Sequence, residues 1–410
     1  MKTFKVLFFS ILIFSSPINW SQTQNSWTKK ASFGGLKRTR AVGFSIDNYG
    51  YLGMGEDTAE MTHNDLWRYD PLLDTWSQMM SLPGSTRRNA SAVALGGKGY
   101  VGLGCGSSVS WMGVILSDWW EYDPQLNNWS QKANYPGGHN VNNQTSSEGV
   151  YFATTFAIGI NVYVACGKMG PDFYGTDLWA YNTNTNNWSR KADFPGGDRY
   201  QMTGFALEGK GYIGLGIDHD LFRKDWWQYD PNSDSWTEMT ALPGVERGAA
   251  SSFVLSQRGY ILFGSDGGFK DELWEYNPFS DSWNIRANYP ADGRKNAVAF
   301  SINNKGYAGT GSAASGKRQS VWEYTPLQPI GFEEYNQDLF ISQNPISTHA
   351  IVKFPIANCE LNLFNLNGQL LKTSFNEPLT ISVSEFKSGT FILVAKSDHQ
   401  ILSTKKIVIL

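Results

Sequence analysis

The feature that most constrains this chain is a cassette that returns six times. In its fullest form it reads Asp225-Trp226-Trp227-Gln228-Tyr229-Asp230-Pro231, with Trp236 five residues further on. Asp65 to Pro71 leads to Trp76, Asp118 to Pro124 to Trp129, Asp177 to Asn182 to Trp188, and Glu272 to Pro278 to Trp283. A sixth copy, Ser320 to Pro326, has no Trp behind it. Trp and Tyr at i and i+2 share one face of a strand. Asp-Pro presets a turn, since Asp hydrogen-bonds the backbone ahead of it and Pro fixes φ. The next Trp then opens an antiparallel partner strand. A repeat of this length demands an array or a propeller for the first three quarters of the chain.

Two more marks precede every cassette. The first is Gly50-Tyr51, Gly99-Tyr100, Val162-Tyr163, Gly211-Tyr212, Gly259-Tyr260 or Gly306-Tyr307, each opening a short apolar run that ends in Gly. The second lies seven residues earlier, at Phe44, Val93, Phe156, Phe205, Phe253 or Phe300, within a strand of small residues. That makes four short strands per unit. Radially repeated four-stranded sheets, Gly-rich where inner strands crowd an axis, describe a β-propeller.

The order of marks (Arg, apolar strand, Tyr, Gly, Trp-x-Tyr-Asp-Pro, Trp) resembles the kelch repeat family from about Asn25 to Leu327. The family's Gly-Gly doublet is loosened here to Gly-x-Gly, as at Gly53-Met54-Gly55 and Gly102-Leu103-Gly104. The resemblance implies a fold, and that fold hosts many unrelated activities. Near the start, Asn25-Ser26-Trp27-Thr28-Lys29-Lys30-Ala31 reads like Asn128 to Ala133 and Asn187 to Ala192, so it supplies the outer strand that the sixth unit lacks. Closure removes exposed strand edges. The expectation is a six-bladed kelch propeller over residues 22–328, closed by the N-terminal strand.

Residues 1–21 carry Lys2 and Lys5, an apolar run from Val6 to Phe14, then small and polar residues. That is the pattern of a secretory signal peptide, and the run is too short for a membrane span. The mature protein is therefore expected to be exported, without a transmembrane segment. Aromatics are 14% and charged residues only 17% of the chain, so stability should come from stacked rings. A net charge of −3, from 34 basic and 37 acidic residues, gives no pointer to nucleic acid, and no such partner is expected. Three cysteines at irregular spacing make no disulfide framework. Cys105 and Cys166 are expected as buried small hydrophobes, with a bridge between them as the alternative.

After Pro329 the tryptophans vanish and short alternating strands take over, as in Glu360 to Phe364 and Phe391 to Val394. This suits a small immunoglobulin-like β-sandwich over 329–410. Gln343-Asn344-Pro345, Asn365 to Leu371, Lys387 to Phe391 and Lys405 to Val408 are similar to the C-terminal sorting domain of the type IX secretion system of Bacteroidota. Gln343, Asn367 and Phe391 stand where that family usually has Pro, Asp and Tyr. The resemblance implies passage across the outer membrane after signal-peptide export, then release or attachment at the surface, with the secretion machinery as a partner.

The closing tryptophans Trp27, Trp76, Trp129, Trp188, Trp236 and Trp283 are 49, 53, 59, 48 and 47 positions apart. The surplus lies in Cys105–Ser117 and Tyr135–Val150, two loops expected on one face over units two and three. Long loops on a rigid scaffold are where binding usually resides. Arg38, Arg87, Arg199, Arg247 and Arg294 each lie six residues before the Phe/Val mark, at the start of an innermost strand; unit three has Val150 there. Two readings stand side by side. The arginines ring the channel mouth and meet an acidic ligand, or they hydrogen-bond carbonyls of the next blade. Trp111, His139 and Tyr174 would form the ligand-binding rim.

No catalytic residues, metal or cofactor are assigned. His63, His139 and His219 fall in different units and do not match the copper site of kelch-like galactose oxidases. Glu246 beside Arg247, or Asp198 beside Arg199, could serve as acid/base in a kelch sialic acid mutarotase. The expected function is a monomeric, secreted or surface-bound binding module for a glycan or protein with acidic groups. The alternative is a carbohydrate-active enzyme of the mutarotase (epimerase) or galactose-oxidase kind.

Overall fold

The computed structural model describes residues 25–106, 114–138, 149–170 and 173–327, and in the C-terminal part 340–341, 346, 349–353, 360–365, 370–375, 379–397 and 400–409. The expected signal peptide lies outside the described residues. The chain divides into two compact units, meeting at Pro326 and Leu327. Among the described residues the regular elements are all β-strands apart from one 3-10 turn at Val383–Glu385. Among the described residues no helix is long and apolar enough to cross a membrane.

The first unit holds six four-stranded antiparallel sheets. In the fourth, Thr203–Leu207, Lys210–Gly214, Trp226–Asp230 and Ser235–Met239 pair in chain order. The cassette forms the third strand, and its Tyr229 lies opposite Trp236 in register. The corresponding Tyr–Trp rings meet in every sheet, with centroids 4.7–5.1 Å apart. Contacts of this kind add about 0.5–1.5 kcal/mol each beyond the area they bury. The sixth sheet consists of Val298–Ile302, Lys305–Gly309, Val321–Thr325 and the N-terminal strand Ser26–Lys30, with Trp27 opposite Tyr324.

Neighbouring sheets interlock through the repeated marks. A Cβ on Gly99 would fall 2.6 Å from the Phe44 ring of the preceding sheet. Gly211, Gly259, Gly306 and Gly50 stand in the same relation to Phe156, Phe205, Phe253 and Phe300. At the remaining junction Val93 replaces the Phe and Val162 the Gly, and both lie in one core cluster. The exchange conserves volume: a smaller ring position makes room for a branched side chain.

A polar latch accompanies this packing. Asp74 Oδ1 accepts from the Ala31 backbone and from Tyr69 OH. Asn127, Asn186, Asp234, Asp281 and Asn25 hold the equivalent pair of groups, at Met80 and Tyr122, Ala133 and Tyr181, Ala192 and Tyr229, Thr240 and Tyr276, and Ala287 and Tyr324. Each latch residue sits in the left-handed region, φ 46–55°, which Asn and Asp tolerate best among residues with a side chain. The innermost strands of all six sheets line a cavity of about 440 Å³ with small residues such as Gly43, Ala92, Gly204 and Ala299.

The second unit contains two sheets. One joins Phe340–Ile341, His349–Lys353 and Leu379–Ser382; the other joins Leu370–Phe375, Glu360–Asn365, Gly389–Ser397 and Gln400–Ile409. Val352 and Ile381 from the first share a core with Leu361, Leu363, Leu393 and Ile407 from the second. Cys105 and Cys166 are buried free thiols, so the alternative of a bridge between them is set aside. Cys359 lies outside the described residues.

Candidate functional site

The arginine register leads into the sheets. Arg38, Arg87, Arg199, Arg247 and Arg294 are 0–1% exposed. Four of them pair with the acid that opens their own unit's cassette: Arg38 with Asp65 at 2.6 Å, Arg87 with Asp118 at 2.6 Å, Arg199 with Asp225 at 2.8 Å and Arg247 with Glu272 at 2.7 Å. Arg294 finds Ser320 Oγ instead, at 2.7 Å. Each also donates to the carbonyl sixteen residues ahead, on Met54, Leu103, Leu215, Phe263 or Thr310. Those five residues are in the left-handed region, φ 55–67°. The arginine therefore braces a backbone conformation that a residue with a Cβ takes reluctantly. At 0–1% exposure and with these partners, the five guanidiniums favour the reading of an internal brace over that of a ligand-facing funnel.

Unit three shows what the brace does electrostatically. With Val150 in place of Arg, Asp177 keeps, among the described residues, the Trp179 indole at 2.8 Å and the Tyr135 hydroxyl at 3.2 Å as side-chain donors. Burial raises its pKa above the ordinary aspartate value. Asp118 is also penalised by burial, yet Arg87 holds its pKa below that value.

Two residues past the register position lies a second ring of residues. Arg40, Asn89, Phe152, Gln201, Ala249 and Asn296 all have φ of 51–59°. Each N–H donates to the carbonyl of the ring member before it, and Arg40 N–H donates to Asn296, at 2.9–3.3 Å throughout. The circle of six bonds is complete. These residues line a cavity of about 120 Å³. Asn89 is 7% exposed and its Oδ1 has no hydrogen-bond partner. Residues in such backbone conformations cluster at functional sites.

Beside this ring three cations converge on one carboxylate. Glu56, 5% exposed, accepts from Arg40 at 3.3 Å, from Arg88, and from Lys317 Nζ at 2.5 Å. Burial, followed by the neighbouring guanidinium, pulls Arg40 and Lys317 below their ordinary pKa values: Arg88 acts on Arg40, and Arg40 on Lys317. The site is thus rich in donors that would gain from a second anion. Next to it, Asp57 takes the His63 ring at 3.0 Å.

An aromatic arc continues from Arg88. Tyr151 touches Phe152 (5.5 Å between centroids), Phe152 faces Tyr200 (6.2 Å), and Tyr200 stacks on Tyr174 (5.0 Å, 15°). His219 meets Tyr174 edge-on at 5.2 Å. Burial, the largest cause, pushes Tyr151 and Tyr200 up to about 12, and each also feels the Tyr174 ring hydroxyl.

Of the rim residues expected from the sequence, Tyr174 belongs to this arc, while Trp111 and His139 lie outside the described residues. Asp198 lies 3.6 Å from His219, and Glu246 is exposed while the adjacent Arg247 is buried, so neither stands with its arginine at the opening. Arg40, Arg88, Lys317 and Glu56 were missed. The available signal was the offset of two from the register arginines, where four of the six residues are polar.

These sheets and their axial cavity define a protein of the all-β propeller class. Its fold matches the solved "Structure of YjhT" with a TM-score of 0.58 at 16% identity, covering 70% of this chain and 94% of that one. Over 94 residues the chain is 34% identical to the N-acetylneuraminate epimerase of Yersinia enterocolitica, a stretch that spans 22% of this chain and only 23% of that protein. Residues 344–410 match the family of the secretion system C-terminal sorting domain. The chain is therefore a propeller-fold protein whose C-terminal part is a secretion sorting domain.

Proposed function

We infer that this is a six-bladed kelch-type propeller, closed by Ser26–Lys30, that is displayed at or released from the cell surface and binds a glycan with acidic groups at its channel mouth. The unbroken circle of six backbone bonds through Arg40, Asn89, Phe152, Gln201, Ala249 and Asn296 supports the closure. The sorting domain at 344–410 supports export, with the signal peptide at 1–21 as the entry step. The observation that carries the ligand assignment is the convergence of Arg40, Arg88 and Lys317 on Glu56 beside the cavity that Arg40 lines. The test is calorimetric titration with N-acetylneuraminate against an uncharged N-acetyl sugar. Arg40→Ala and Lys317→Ala should each weaken binding of the acid by about 1.5–3 kcal/mol, the range for hydrogen bonds to charged groups. Equal affinity for both sugars would refute the reading.

A second reading is ring-opening of a sugar acid. It is favoured by Glu56, a carboxylate within reach of cations at the mouth, and by the stretch shared with the epimerase. With the sugar's carboxylate seated on Arg40, Glu56 would take the proton of the adjacent anomeric hydroxyl while the ring C–O bond breaks and water protonates the ring oxygen. Accelerated anomeric exchange of N-acetylneuraminate by NMR, lost in Glu56→Gln, would establish it.

A further inference from the structure

We propose that the mouth spans two acidic subsites, the cation cluster on Glu56 and a second built on Lys168, so that its ligand is an oligosaccharide bearing acidic groups on more than one residue. This rests on the reading of the mouth as an anion site. Lys168 Nζ lies 4.9 Å from the Tyr174 centroid and 5.0 Å from that of Tyr200, over two rings that are themselves stacked. Attraction to ring faces holds an ammonium in place without neutralising it. By contrast, Lys317 is already engaged by Glu56, and Lys270 by Asp266. Lys168 is half-buried at the end of its strand and makes a backbone bridge to Tyr151.

Tyr151 connects the two subsites. Its ring meets Phe152 at 5.5 Å, its backbone bridges Lys168, and its phenol feels the charge of Arg88. Between them, Phe152 both lines the mouth cavity and joins the ring series. The wall from Arg88 to Lys168 is therefore cation, aromatic surface, cation. Flat ring faces suit the apolar C–H face of a pyranose, and a polar tip at each ring suits its hydroxyls. An acidic peptide would satisfy the charges, but has no use for a continuous planar wall.

The experiment titrates the full exported chain with galacturonate, its trimer and hexamer, a neutral hexasaccharide and hexaglutamate. Joining two subsites through one ligand raises affinity without new contacts. The acidic trimer or hexamer should bind about tenfold tighter than the monomer or better. Lys168→Met keeps the aliphatic stem over the rings; it should remove most of that gain and leave monomer affinity within about twofold. Tyr200→Leu should reduce oligomer binding in the same direction. Equal affinity for monomer and oligomers, equal loss for both in Lys168→Met, or tighter binding of hexaglutamate would overturn the proposal. Monomer binding unaffected by Arg40→Ala, or no binding of any acid, would instead overturn the anion-site reading beneath it.

Discussion

The indole of Trp27 donates to the carbonyl of Ala287 at 2.8 Å, across 260 residues of chain. The same bond joins Trp76 to Ala31, Trp129 to Met80, Trp188 to Ala133, Trp236 to Ala192 and Trp283 to Thr240, at 2.8–3.3 Å. In five cases the partner is one repeat away. In the sixth it links the first strand to the last complete repeat. Each acceptor carbonyl lies beyond an outer strand, so the bond stitches one sheet to the next.

This makes the N-terminal strand a structural keystone despite its five residues. Deleting residues 22–33 should remove the outer strand of the sixth sheet, its ring contacts with Tyr289 and Tyr324, and the Asn25 latch. Trp27→Ala alone should cost about 3–5 kcal/mol, as for large aromatic truncations. Differential scanning calorimetry checks both. A deletion variant melting at the wild-type temperature would contradict the closing role.

The Val93–Val162 junction offers a cleaner probe of packing. Val93→Phe should drive a ring into the branched side chain of Val162 and destabilise by about 1–3 kcal/mol. Adding Val162→Gly rebuilds the Phe–Gly pair used at the other five junctions. The double variant should therefore be more stable than Val93→Phe alone, with a coupling energy of about 1 kcal/mol or more by chemical denaturation. Strict additivity would mean that the two positions do not share a space.

Much of this architecture was legible because the repeat is written in residues that act locally. Trp, Tyr, Asp and Pro inside one cassette specify a strand, a turn and its partner without reference to distant sequence. The arginine register was equally visible, but its direction was not. The carboxylate that four of the arginines pair with lies 25 to 31 positions away, across two strands, as with Arg247 to Glu272 and Arg87 to Asp118. Nothing local distinguishes an arginine turned into its sheet from one turned toward the axis. Glu56, Arg88 and Lys317 were harder still. They come from different units and meet only because the sheets are arranged around one cavity.

The sorting domain allows a test of independence between the two units. A chain ending at residue 330 should keep the melting transition of the propeller, because the two units have separate cores. It should fail to leave the cell, since residues 344–410 carry the sorting signal. Cell fractionation with immunodetection reads the second point. Secretion of the shortened chain at the normal level would show that export is encoded elsewhere.

Asp118 and Asp177 occupy equivalent cassette positions, and their contrast predicts opposite pH behaviour. Asp118 has a lowered folded pKa, through Arg87 against the cost of burial. Its stabilising contribution is present above the unfolded aspartate value of about 3.9 and is lost as pH falls through the folded value. Asp177 has a raised folded pKa, because burial outweighs its hydrogen bonds from Trp179 and Tyr135 and the charge of Arg190. Its favourable contribution is complete below the unfolded value and is lost as pH rises through the folded one. Asp118→Asn should therefore destabilise at pH 7 by about 3–5 kcal/mol, leaving buried Arg87 without its carboxylate. Asp177→Asn should stabilise at pH 7, where it removes an uncompensated buried charge, and the gain should disappear by about pH 4. Denaturation curves of the wild type and both variants between pH 3 and pH 8 measure these slopes. Parallel curves for the two variants would mean that Asp177 is compensated as fully as Asp118.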